Sequence, residues 1–82
     1  MHPSLLDRNT MFYSYAAMEN KPSCIWRATA TGEHPEKIWT EDAEPVTCLN
    51  DSIEPTAFYD AYNEPWLVYG TQSSGIWVIK LD

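Results

Sequence analysis

Two residues stand at matching places in the chain and have side chains that move protons. They are His2 and Glu54, each followed at once by a proline (Pro3 and Pro55) and then by a short run ending in apolar residues. A carboxyl wedged between Ile53 and Pro55 and stripped of part of its hydration would hold its proton more tightly, as acid–base chemistry needs. The residues alone favour a plainer outcome, a Glu54 that faces solvent where a strand begins. His34 precedes Pro35 within the turn-forming run Gly32-Glu33-His34-Pro35 and reads as a solvated loop residue. Cys24 and Cys48 lack the CxxC spacing of a metal or redox site. They fall on what should be neighbouring strands, so the geometry admits a disulfide, but two small buried thiols are the favoured expectation. The chain contains no Gly-rich phosphate loop, no HExxH, no nucleophile elbow and no Cys–His pair at useful spacing.

The elements that would position these residues are strands. Between Ser52 and Asp82, three runs rich in aromatic and β-branched residues (Pro55 to Tyr59, Trp66 to Tyr69, Ile76 to Ile79) are separated by Asp, Asn, Pro and Gly, the pattern of an antiparallel meander. The first part of the chain repeats it. His2-Pro3-Ser4-Leu5-Leu6 resembles Glu54-Pro55-Thr56-Ala57-Phe58, and Phe12-Tyr13-Ser14-Tyr15-Ala16 resembles Trp66-Leu67-Val68-Tyr69-Gly70. Ser23-Cys24-Ile25-Trp26 resembles Ser74-Gly75-Ile76-Trp77. Pro3 and Pro55 stand 52 positions apart, Tyr15 and Tyr69 54, and Trp26 and Trp77 51. Ordered matches at nearly one offset, built from short strands, are the signature of propeller blades.

Strands are therefore expected at Pro3 to Leu6, Met11 to Ala17 and Cys24 to Thr31. A fourth begins at Lys37 to Thr40 and is broken by Pro45 before Val46 to Leu49, as suits an outermost edge strand. The expected architecture is all-β, with antiparallel four-stranded blades: one blade over 2–49 and three strands of the next over 50–82. That is roughly one and three-quarter blades within a single partial domain. The segment Ser14 to Asn20 has the length for two helical turns, but the repeat assigns its start to a strand. Because the first strand of a blade lines the central channel, His2 and Glu54 are candidates to face one pocket.

Composition narrows the function classes. Five basic residues against twelve acidic ones, a formal charge of −7, argue against nucleic acid and anionic membrane as partners, since both require clustered Lys and Arg. No apolar run approaches the ~18 residues of a membrane span, and the first residues lack the basic and apolar regions of a signal peptide.

The runs SIEPTAFYD and PWLVYGTQSSGIWVIKLD resemble the signature of glycoside hydrolase family 43, the arabinanase and xylosidase group of five-bladed propellers. FYSYAAMENKPSCIWRATATG resembles strands of the preceding blade in that family. The resemblance implies an inverting hydrolase of arabinan or arabinoxylan, with plant cell-wall oligo- or polysaccharide as partner. Two carboxyls about 6.5–9.5 Å apart would flank the scissile bond, with a water between base and sugar. It implies that an Asp in an Ile-Asp-Pro run tunes the acid's pKa, a role that carries over only to Glu54, where this chain has the longer residue. The implied general base precedes Met1 and the general acid follows Asp82, and neither Asp42 nor Glu44 takes their place. The loop after Gly70 lines the sugar cleft in the family, which makes Thr71, Ser73, Ser74 and Trp77, with His2, substrate-contact candidates. For Trp77, packing between blades is the favoured alternative. No cofactor is expected. Some family members carry calcium in the complete propeller, but its ligand positions do not fall in this chain. The family is often secreted.

On this reading the chain is a fragment or truncated member of such a hydrolase, inactive alone. The alternative is a non-catalytic module that binds carbohydrate or assembles with its own copies through exposed sheet edges.

Overall fold

The structure, a computed structural model, describes residues 3–16, 22–32, 37–49, 51–71 and 75–81. Its strands are β1 (Ser4–Asp7), β2 (Thr10–Tyr15), β3 (Cys24–Thr31), β4 (Ile38–Glu41), β5 (Ser52–Tyr59), β6 (Pro65–Thr71) and β7 (Ile76–Lys80). They form two antiparallel sheets in chain order, β1-β2-β3-β4 and β5-β6-β7. Among the described residues there is no helix. Ser14 and Tyr15 lie in β2, so the helical option fails at its first two residues.

Each sheet follows from alternation. Phe12 pairs with Arg27 and Ser14 with Ile25 on one face of the first sheet, while Tyr13 pairs with Trp26 on the other. In the second sheet Ala57 pairs with Leu67 and Leu67 with Ile79 on one face. The two sheets then bury one face each. Phe12, Ile25, Ala57, Leu67 and Tyr69 form the core, with Leu6, Val46, Ile79 and Leu81 packed against it. Strand β5 lies against β1 and β2, and the Ala57 N–H donates to Ser4 Oγ at 3.0 Å across the junction. The Tyr59 hydroxyl donates to Asp7 Oδ2 at 3.3 Å. Neither sheet could bury its apolar face alone.

The fourth strand is divided, as the Pro45 signal suggested. β4 pairs with β3 from Ala28 to Thr31, and the Asp42 N–H still donates to the Arg27 carbonyl. The chain then detours through residues 43–45. It rejoins β3 one turn of the ladder lower, where Val46 donates to the Ile25 carbonyl and Ile25 to that of Thr47. This return sets Cys48 beside Cys24 with 4.1 Å between their Cα atoms, and the two form a disulfide. The expectation of two buried free thiols is thereby corrected. The pairing depends on where a broken edge strand resumes, which spacing in the chain does not reveal.

The β5–β6 hairpin turns on Asp60. Its carboxylate accepts the N–H groups of Tyr62 (2.8 Å) and Glu64 (3.0 Å) and the indole N–H of Trp66 (2.7 Å), while Asn63 takes the left-handed conformation (φ 63°) that its short polar side chain tolerates. The Glu64 N–H foremost, then the Trp66 indole, hold the Asp60 carboxyl below its ordinary range. A depressed carboxyl adds stability above the unfolded-chain value of about 4, which disappears as pH falls through the folded value. The melting temperature should therefore drop below about pH 4 in the parent chain and less steeply in Asp60→Asn, as read by circular dichroism melts across an acid series.

Candidate functional site

Strand β5 begins irregularly. Ile53 pairs with Gly70 and Thr56 with Val68, so three steps on β5 oppose two on β6, a β-bulge. Glu54 occupies that bulge at φ 51°. Among the described residues three non-glycine residues have positive φ, and two of them, Asp51 and Asn63, are of the types that adopt it readily. Glu54 is the exception. A left-handed Glu costs about 1–2 kcal/mol, and both bulges and such strain concentrate at functional sites. Pro55 is buried, whereas Glu54 is turned outward and exposed, the solvent-facing placement that the residues alone favoured.

The same end of the sheet gathers two further candidates. Thr71, the last residue of β6, pairs with Ser52, and both its N–H (2.9 Å) and its hydroxyl (3.0 Å) donate to the Gly75 carbonyl, closing the connection to β7. Gly75 has φ 80°, a conformation that suits glycine. Trp77, on β7, pairs with Tyr69 and is 41% exposed. Ser52, fully buried, donates its hydroxyl to the Leu49 carbonyl at 2.7 Å and anchors the start of β5. Glu54, Thr71 and Trp77 thus share one end of one sheet. His2, Ser73 and Ser74 lie outside the described residues, as does His34. Asp42 is engaged by Arg27, whose guanidinium sits 2.6 Å from Oδ2, which agrees with leaving it out of the chemistry.

A second group of side chains was not anticipated. On the outward face of the first sheet the rings of Tyr13 and Tyr15 stack at 5.9 Å and 8°, and Tyr15 stacks on Trp26 at 5.3 Å and 19°. The Tyr13 hydroxyl donates to Glu41 Oε1, and the Tyr15 hydroxyl lies 3.0 Å from both Glu41 oxygens. Desolvation first, and the Glu41 carboxylate second, raise the pKa of both phenols above the ordinary value. The Trp26 indole nitrogen is buried without an acceptor among the described residues, an arrangement that costs about 1–3 kcal/mol. The legible signal was the alternation Tyr13, Tyr15 on one strand face. The contribution of Glu41, 26 and 28 positions away, needed the register of β3 and β4.

Among the described residues no group of three His, Cys, Asp or Glu side chains could hold a metal ion, and no helix is long and apolar enough to cross a membrane. No protein-family model, curated protein or solved structure matches the chain.

Proposed function

We propose that the chain is a pair of propeller-type blades of the glycoside hydrolase family 43 lineage, taking an arabino- or xylo-oligosaccharide of plant cell-wall type at the end of its second sheet. As an 82-residue chain it binds sugar without hydrolysing it. The observation that carries this reading is the strained, exposed Glu54 in the β5 bulge, at the same end of the sheet as Thr71 on β6 and the half-exposed Trp77 on β7. A carboxylate that accepts sugar hydroxyls and, across β6, an indole face on which a pyranose or furanose ring can stack are side chains of the kind that small polar ligand sites use. The side-by-side placement of β1 and β5, the first strand of each sheet, supports the blade reading. Glu54 alone is a positioning carboxylate, because inverting hydrolysis requires an acid and a base on opposite sides of the bond.

The test is calorimetric titration with arabino- and xylo-oligosaccharides, alongside an assay for new reducing ends. Binding without cleavage is expected. Glu54→Gly should relieve the left-handed strain, raising stability by about 0.5–1 kcal/mol, while weakening sugar binding about tenfold, equivalent to about 1.4 kcal/mol. Trp77→Ala should weaken binding comparably with the melting temperature nearly unchanged. Absence of binding at millimolar sugar, or affinity indifferent to both substitutions, would overturn the site. Release of reducing ends would overturn the claim that the chain does not cleave.

A further inference from the structure

Each sheet has a buried face and an outward one, and the sequence repeat relates them crosswise. The partly buried Leu6 and the buried Phe12 and Ile25 of the first sheet align in the repeat with Phe58, Trp66 and Ile76, which lie on the outward face of the second. Conversely, the buried Ala57, Leu67 and Tyr69 of the second sheet align with Leu5, Tyr13 and Tyr15, on the outward face of the first. The two hairpins differ in register, since Tyr15 pairs with Cys24 and Tyr69 with Trp77. Against the repeat alignment that is a slip of two residues, and an even slip leaves every side chain on its face. The internal interface therefore joins one kind of face from each repeat and leaves the complementary kind exposed on either side of the molecule.

We infer that these two outward faces dock on each other between copies of this chain, head to tail, reproducing the internal sheet–sheet interface. The exposed surfaces are those of an unfinished stack: Leu5 is 59% exposed, Ile76 77%, Val78 55% and Phe58 40%. The total accessible surface, 5722 Å², exceeds the roughly 5,000 Å² of a compact monomer of this mass. A heterologous contact of this kind closes a ring if its rotation allows. Propellers of 4–8 blades correspond to about two to four copies of a blade pair. The inference does not rest on sugar binding, and molar mass here and calorimetric titration there separate the two readings.

The experiment is light scattering coupled to size exclusion at roughly 100 μM chain, above the micromolar affinity of weak standard-size interfaces. The parent chain is expected as a discrete oligomer. Leu5→Lys on one face, and Ile76→Lys or Val78→Lys on the other, alter side chains already in water in the single chain. Each variant should keep its far-ultraviolet circular dichroism and become monomeric. An equimolar mixture of Leu5→Lys with Ile76→Lys should restore a dimer, because each contributes the face the other lacks. A monomeric parent chain, a single-face variant that keeps the parent mass, or a mixture that stays monomeric would each overturn the inference.

Discussion

Phe12→Ala should leave the chain largely unfolded at room temperature. Phe12 is 1% exposed and lies at the meeting of the two sheets, in one cluster with Ile25 from its own sheet and Ala57, Leu67 and Tyr69 from the other. Removing a buried phenyl ring costs about 3–5 kcal/mol through lost transfer energy and the cavity left behind. A chain of this length has a total stability of roughly 4–12 kcal/mol, and its core is small. Collapse around the cavity is hindered because β2 is held by β1 on one side and β3 on the other. In a urea titration followed by tryptophan fluorescence the midpoint should move most of the way to zero denaturant, whereas Tyr62→Ala, on an exposed side chain, should change the stability by less than about 0.5 kcal/mol. A loss below about 1 kcal/mol for Phe12→Ala would mean that the sheets do not share a core.

Loss of the Cys24–Cys48 disulfide is the second large effect. The bond closes a loop over a sequence separation of 24, for which the chain-entropy account gives about 3.5 kcal/mol. It also ties the resumed edge segment to the start of β3, adding to the Ile25–Thr47 and Val46–Ile25 hydrogen bonds and to the packing of Val46 on the core. At this chain length each kcal/mol corresponds to about 4–8 °C in melting temperature, so reduction should lower it by roughly 15–25 °C. The Cys24→Ser/Cys48→Ser double variant should behave like the reduced chain and be insensitive to reductant. Two free thiols titrating in the folded, unreduced protein, with a melting temperature unmoved by dithiothreitol, would show that no such bond forms. Small domains with limited cores commonly depend on such cross-links.

The strands were legible because their signals are local. Alternating aromatic and β-branched residues mark Met11 to Ala17, Trp66 to Tyr69 and Ile76 to Ile79, and the structure has strands at all three, the first ending at Tyr15. The edges were misjudged where tertiary contacts extend a strand beyond its pattern. β5 begins at Ser52 rather than Pro55, because Ser52 is buried and tied to Leu49 and because a bulge accommodates the proline inside the strand. The candidate site was half legible. The repeat singled out Glu54, and the run after Gly70 singled out Thr71 and Trp77, but nothing in the order of residues announced the left-handed turn that exposes Glu54 beside a buried Pro55.

By itself, then, the sequence determined an all-β chain with two repeated antiparallel units, since alternation, turn residues and a fifty-residue repeat act over short stretches of backbone. Tertiary structure alone decided that Cys48 meets Cys24, that Glu41 joins Tyr13 and Tyr15, and which face of each sheet is covered. Those outcomes depend on register and on the resumption of an interrupted edge strand. Both are set by the summed packing of residues far apart in the chain, where a slip of one position reverses every face.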